Sequence, residues 1–273
     1  MGASRVFRRM MSLPMYRAPA GAEHAFWGGL RRHLISAGFD DVPERPAEPE
    51  DLDAHWLDPD LLLSQTCGFP LTHALAGRVQ LLGAPCYAAA GCDGVFYRSL
   101  VVVRQGEPAR TIGDLRGRRV AYNSIDSQSG YNTLRALVAP YARNGAFFGA
   151  TMQTGGHRGS VEAVQGGSAD IASIDCVTYA LLKRDEPDLV AGLRVLCMTG
   201  QAPSLPLITA LGTSPADAEG LRRAIEGAMT DPDLAGARAD LMLAGFARVD
   251  PSAYEICVTM ERDAVALGYP VLA

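Results

Sequence analysis

The feature that most limits what this chain can become is a repeated alternation of two patterns. Short, nearly continuous apolar runs recur along it: Leu61–Leu63, Val79–Leu82, Leu100–Val103, Val120–Tyr122, Ile171–Ile174, Val195–Met198 and Leu207–Ala210. Runs this short and this free of polar residues fit strands buried on both faces, as in sheets covered by helices on either side. Helical patterns fall between them. Phe26, Leu30 and Leu34 form a stripe at intervals of four that ends at Gly38. Leu134, Leu137 and Val138 form another, stopped or kinked by Pro140, and Leu221, Ile225, Ala228 and Met229 form a third. The alternation predicts parallel α/β layers with right-handed crossovers.

A chain of 273 residues is long for one such unit and short for three. Two polar or Pro-marked stretches offer the joints. Arg104 to Arg119 (RQGEPARTIGDLRGRR) is turn-rich and near mid-chain, and Gln201 to Pro206 provides a return path. The expected fold is therefore two doubly wound α/β lobes joined by two crossings. The first lobe is discontinuous (1–104 and 206–273) and the second is the continuous middle (105–205). The Pro- and Glu-rich stretch Pro43 to Asp53 reads as a surface loop.

The net charge of −5 leaves no basic face for displacing counterions from nucleic acid, so no nucleic-acid partner is expected. A site for one small anion needs only local donors and is not excluded. No segment reaches the ~18 apolar residues of a membrane span. Met1 to Tyr16 carries Arg5, Arg8 and Arg9, and its most apolar part is cut short by Pro14. It lacks the ~7–15-residue apolar core of a secretory leader, so the chain is expected either to stay in the cytoplasm or to have lost its leader. The six cysteines and five histidines are scattered without metal-ligand spacing, and no metal or cofactor is expected. Most of the cysteines read as small buried hydrophobes. Cys86 and Cys92 are close enough to bridge a short loop in an oxidising compartment.

Three segments could carry chemistry. In Val120 to Leu134 (VAYNSIDSQSGYNTL) a strand leads through a hydroxyl-rich loop straight into an amphipathic helix. Ser129 stands where a helix cap belongs, Gly130 lets another group approach the first turn, and Ser127 adds a hydroxyl. Free N–H groups and the positive end of the helix dipole make such a start an anion site, although a plain capped helix has the same spacing. Thr154 to Val164 enters a helix through glycines with His157 at its start, while the adjacent Arg158 should face solvent. In Gly167 to Val177 a buried strand ends at Asp175, which either accepts from a ligand or caps the next helix. Ser64, Gln65 and Thr66 follow the strand Leu61–Leu63 in the same manner, and Tyr16, Tyr97 and Trp56 are candidates to wall a cleft. No G-x-S-x-G elbow, Walker phosphate loop or H-E-x-x-H helix is present, which favours binding over turnover.

Together these segments resemble the phosphate/phosphite/phosphonate solute-binding proteins of ABC transporters. The resemblance rests on D-L-R-G-R-R-V-A-Y-N followed by D-S-Q-S-G-Y (Asp114 to Tyr131), on G-G-H with A-V-x-G-G-x-A-D-I-A downstream (Gly155 to Ala172), and on Y-R-S-L-V-V-V-R (Tyr97 to Arg104). It runs from about Met11 to about Gly212. It implies a fold of the type II periplasmic-binding-protein kind and a monomer that holds a small oxyanion in the cleft between lobes. Ser127, Gln128, Ser129 and His157 would hold the anion, and an ABC permease would read the closed shape if the protein is exported. Gln128 stands where many relatives have threonine. Aminophosphonate binders tend to carry an acid just after the return crossing, and Ser204 to Thr209 has none, leaving Asp175 as a partial substitute. The rival reading is a cytoplasmic enzyme on the same scaffold, with His157 and Asp175 as the general acid–base pair. A ligand-sensor domain is the third.

Overall fold

The structure is a computed structural model that describes residues 10–13, 15–17 and 20–273. Arg5, Arg8, Arg9 and Pro14, named above, lie outside the described residues. Twelve strands are present among the rest: β1 Met10–Ser12, β2 Leu61–Gln65, β3 Val79–Tyr87, β4 Phe96–Tyr97, β5 Ser99–Arg104, β6 Arg119–Tyr122, β7 Ala150–Gln153, β8 Ile171–Asp175, β9 Leu193–Met198, β10 Ala202–Pro203, β11 Leu207–Ala210 and β12 Leu243–Ala247. All seven apolar runs fall within them. They build two five-stranded sheets, in the orders β1-β2-β11-β3-β12 and β7-β6-β8-β5-β9, with β4 and β10 as a separate pair.

The inner strands of each sheet are buried on both faces, which is why most of the runs are continuous rather than alternating; the run Val195–Met198 lies on the edge strand β9, with Val195 and Met198 exposed. On the second sheet, Leu100 and Val102 pack on one side with Val161, Val164, Val177 and Leu181. Val101 and Val103 pack on the other side with Leu134, Val138, Phe147 and Tyr269. On the first sheet, Leu63 and Leu82 meet Phe26, Trp27, Leu30 and Ile225 from the helices Ala20–Ser36 and Pro215–Thr230. Leu61 and Ile208 join a separate cluster with Trp56 and Leu75. Among the described residues no helix is long and apolar enough to cross a membrane.

The expectation of purely parallel sheets is corrected. β6 runs parallel to β7 and β8, and β1 parallel to β2. β5 is antiparallel to β8 and β9, while β11 and β12 are antiparallel to their neighbours. The cause is the crossing itself. A strand arriving from the other lobe enters its sheet at the edge where the βαβ strands end, so it must run against them. Ser99, the first residue of β5, accordingly lies opposite Asp175, the last of β8, and Leu207 lies opposite Gln65 in the first sheet.

The two connections meet as the antiparallel pair β4–β10, with Ala202 opposite Tyr97 and Pro203 opposite Phe96. Because β5 belongs to the second sheet, we propose that the outgoing crossing lies at Arg98 rather than within the polar stretch after Arg104. The C-terminal segment, placed in the first lobe by the sequence, also makes contacts with the second. Asn132 Nδ2 donates to Cys257 O, Arg135 Nη1 donates to Pro270 O, and the N–H groups of Phe147 and Phe148 donate to Ala273 O. The helix Glu255–Ala266 and the tail after it therefore pack on the second lobe, while Glu261 of the same helix also pairs with His73, next to the first-lobe helix Gly68–Thr72, at 2.7 Å.

At the edge of the second sheet remote from the cleft, Asp170 joins three strands. It accepts from Arg119 N, Nε and Nη2 and from Arg104 Nη2, all at 2.8–3.0 Å. These contacts hold its carboxyl far below the usual carboxylate range. Hydrogen bonds to a charged group each contribute about 1.5–3 kcal/mol, and the half-exposed arginines discount that. Asp170→Ala is expected to cost about 2–3 kcal/mol and lower the melting temperature by about 5–10 °C, read by thermal denaturation.

Candidate functional site

The parallel strands β6 and β8 end on the side facing the first lobe, and the segments that come after them converge there. After β6 the chain turns through Asn123 to Asp126, and Ser127, not Ser129 as its position suggested, caps the next helix, its Oγ accepting from Gly130 N at 3.0 Å. That helix opens with a wide turn in which Asn132 N donates to Ser127 O, five residues back, at 3.0 Å. Two hydroxyls, Thr133 Oγ1 and Ser173 Oγ, each donate to Ser129 O at 2.8 Å and hold the turn in that shape. From Thr133 it tightens into an ordinary helix to Val138. The first amides of such a helix have no carbonyl behind them.

Gly130 is required by a close approach. A Cβ there would overlap Asn123 Oδ1 and lie 3.2 Å from His157 Cε1. His157 begins the helix His157–Gln165 after Gly155, whose φ of +79° lets the chain turn sharply. Its Nε2 shares a 2.8 Å hydrogen bond with Ser129 Oγ. Burial pushes the imidazole down to about 4, against a weaker opposite pull from the Ser173 backbone. The ring is therefore neutral near pH 7. Its Nδ1 and Asn123 Oδ1 have no hydrogen-bond partner of good geometry among the described residues.

Asp175 completes the opposite wall. Its Oδ1 accepts from Val177 N at 2.7 Å and Thr178 N at 3.1 Å, capping the helix Cys176–Asp185. Its Oδ2 accepts from Tyr16 OH of the first lobe at 3.0 Å. Of the two alternatives left open by the spacing, the cap is formed, and the carboxylate also lines the cleft. Burial raises it to about 6, although the three donors pull the other way.

Ser127, Ser129, His157, Asp175 and Tyr16 together line a cleft of about 550 Å³ between the two sheets. The remaining candidates lie elsewhere. Gln128 is buried with its amide between Asn132 and Met260, so its side chain is turned away from the cleft. Ser64 joins a buried chain with Ser12 Oγ (2.8 Å) and, through it, His55 (2.6 Å). Gln65 donates to Tyr87 OH and Leu205 O and faces a different cavity in the first lobe, of about 520 Å³. Thr66 is fully buried, its N–H on Pro206 O. Tyr97 is 2% exposed, and its hydroxyl has no partner among the described residues.

The residue of that first-lobe segment that does reach the cleft is Cys67, one position further on, where β2 gives way to the helix Gly68–Thr72. Its Sγ accepts from Gln128 N at 3.4 Å, so the lobes touch at the Ser127–Gly130 turn. Trp56 lines the cleft as expected, and Met15, Asn123 and Thr154 do so without having been singled out. Asn123 had a signal, a polar residue directly after a strand that ends at the cleft.

A two-lobed clamp whose strand ends converge polar groups on one interlobe cleft is the architecture of a solute-binding protein. Solved structures agree on the fold. A binding-protein component of an ABC phosphonate transporter from Pseudomonas aeruginosa is 15% identical, covering 95% of this chain and 88% of its own, with a TM-score of 0.75. PhnD1 from Prochlorococcus marinus in complex with methylphosphonate is 12% identical (94% and 98% covered, TM-score 0.72). A protein from Xanthomonas citri bound to ATP is 16% identical (94% and 98% covered, TM-score 0.67). No curated protein matches the chain in sequence. Residues 60–254 match the family described as "ABC transporter, phosphonate, periplasmic substrate-binding protein", and the chain belongs to that family. It is a family of solute-binding proteins, not of enzymes, which removes the rival catalytic reading.

His157 and Asp175 leave opposite marks on stability. The folded state refuses a proton that an unfolded histidine, at about 6.5, takes up, so the His157 contribution is lost as pH falls towards about 4. Asp175 keeps a proton that an unfolded carboxyl releases at about 3.8, so its contribution is lost as pH rises through about 6. Between pH 4 and 6.5 the two offset each other. Relative to the unsubstituted protein, the melting temperature of His157→Gln should fall more steeply with rising pH, and that of Asp175→Asn should climb. Parallel curves for all three would contradict the assignment.

Proposed function

We propose that the cleft captures a small phosphonate-like oxyanion for an ABC permease. The charged oxygens lie on the Ser127–Gly130 turn and His157, and the substituent points towards Asp175 and Tyr16. The observation that carries this reading is the Ser129–His157 pair at the open end of a capped helix. A hydroxyl and a neutral imidazole meet there, and because the bond between them uses one of their two hydrogens, the pair offers an anion the remaining N–H or O–H without a buried cation. The family and the methylphosphonate complex of a structural neighbour support the same class of ligand.

Asp175 refines the choice. A carboxylate at the far wall favours a ligand whose substituent donates, such as an amine or hydroxyl, over a bare tetraoxyanion that it would repel. Closure is driven by contacts made only when both lobes touch the ligand, and Cys67 and Tyr16 bring the first lobe to the same cleft through Gln128 N and Asp175.

Thermal denaturation against phosphate, phosphite, methylphosphonate, 2-aminoethylphosphonate and sulfate tests the reading. A ligand at 100 times its Kd adds about 2.7 kcal/mol, a rise of roughly 5–10 °C at about 2–4 °C per kcal/mol. The largest rise is expected for 2-aminoethylphosphonate. Ser129→Ala should lose most of it while its own unliganded melting point stays within a few degrees. A flat response to the whole panel defeats the proposal. Equal responses to the methyl and aminoethyl compounds would remove the role given to Asp175.

A further inference from the structure

The six cysteines are all unbridged. The short bridge considered from spacing, Cys86 to Cys92, is not formed, and the partner that Cys92 faces is a different thiol, 84 positions away in the chain. Cys92 Sγ lies 3.4 Å from Cys176 Sγ, within thiol hydrogen-bond distance. A disulfide needs a sulfur separation of about 2.05 Å, so the two sulfurs must approach by a little over 1 Å to bond.

Both thiols are held in place by their surroundings. Cys92 closes a turn in which its N–H donates to Ala89 O at 3.0 Å. Gly91 inside the turn has φ +108°, and a Cβ on it would come within 2.9 Å of Cys176 Cβ, so the loop is pressed against the start of the helix Cys176–Asp185. On the other side Asp93 and Phe96 exchange both backbone hydrogen bonds at 2.9 Å and fix the loop ahead of the crossing. Cys176 is fully buried directly after Asp175, whereas Cys92 is part-exposed.

The pair is also chemically unequal. The hydrogen bond from Cys176 pulls the Cys92 thiol below its ordinary range, while the same contact and burial push Cys176 up. An exposed sulfur with the greater thiolate character beside a buried second thiol is the usual division between an attacking and a resolving cysteine.

We propose that Cys92 and Cys176 are a peroxide-responsive dithiol that closes to a disulfide and staples the loop leading to the hinge onto the second lobe beside the cleft. The Cys92 thiolate attacks one oxygen of hydrogen peroxide, giving a sulfenic acid at Cys92 and hydroxide. The Cys176 sulfur then attacks the Cys92 sulfur, and the sulfenic oxygen leaves as hydroxide while Cys176 gives up its proton. The sum is two thiols and one peroxide converted to one disulfide and two waters. A dithiol reductant reverses it.

Peptide mapping of the full chain after peroxide treatment tests this directly. Trypsin releases Cys86 and Cys92 together in the peptide 79–98 and Cys176 in the peptide 159–183. The expected product is a cross-link between these two peptides, lighter than their sum by two hydrogens and cleaved by dithiothreitol. Cys92→Ser should abolish it, and Cys86→Ser should leave it intact. A bond within 79–98, a Cys67–Cys257 bond, or no cross-link would overturn the proposal. Because the bond ties together residues far apart in sequence, oxidation should also raise the melting temperature by several degrees, reversed by reductant and absent in Cys92→Ser. A cross-link without that rise would refute the staple.

Discussion

One carboxylate, Asp175, holds together much of what makes the cleft. It ends β8, caps the helix after it, and accepts from the phenol of Tyr16 on the other lobe. Backbone register sets it opposite Ser99, where the chain first enters the second sheet. A buried acid with only part of its hydrogen-bonding capacity filled would be costly, yet here the two backbone amides and the phenol share its oxygens. The position of the first lobe against the second is thereby coupled to a helix start. Movement of Tyr16 on closure or opening changes the same carboxylate that a ligand would meet.

The sequence was most legible where burial was two-sided. Val101 and Val103 point one way and Leu100 and Val102 the other, and all four are buried, so a run without polar interruption marks β5 unambiguously. β7 left no such trace because Ala150 to Gln153 is exposed throughout, an edge strand held only by its pairing with β6. β12 is similarly half-exposed at the other sheet's edge. Strand direction was not legible at all, since an apolar run carries no sign of which way its neighbours point. The crossing is hard to read for a related reason. Polar, turn-rich sequence marks a surface loop, and Arg104 to Arg119 is one, whereas the short β4–β10 pair buries Tyr97 and Ala202 and so resembles core.

The same logic divides the site residues. Ser127, Ser129, Gly130, His157 and Asp175 stand at strand ends or helix starts, where local geometry aims them, and local geometry is what a sequence reports. Gln128 sits between two of them and points elsewhere, because successive residues on a helix diverge by about a quarter turn or more. Ser64, Gln65 and Thr66 miss the cleft by one residue. A strand buried on both faces gives its polar side chains internal duties, here to Ser12, Tyr87 and Leu205 O, until the chain leaves the sheet at Cys67. The identity of those duties depends on segments distant in sequence and is invisible without the fold.

The charge around the cleft argues for how an anion is held. Arg17 and Arg158 line it, but so do Asp126, Asp175, Asp185 and Glu186. Arg158 is occupied by Glu186 at 2.7 Å and by Glu162. A strongly positive pocket would attract any polyanion and hold it through long-range attraction. If the cleft takes the anion proposed above, an acidic rim with neutral donors at its base would repel at a distance and attract only a group small enough to reach the helix start. Hydrogen bonds act over ångströms while unscreened charge acts over about 8–10 Å, so this arrangement converts the choice of ligand into a question of size and donor placement. The neutral state of His157 serves the same end: a fixed cation there would extend the attraction outward, whereas a buried imidazole N–H is felt only by an oxygen in contact with it.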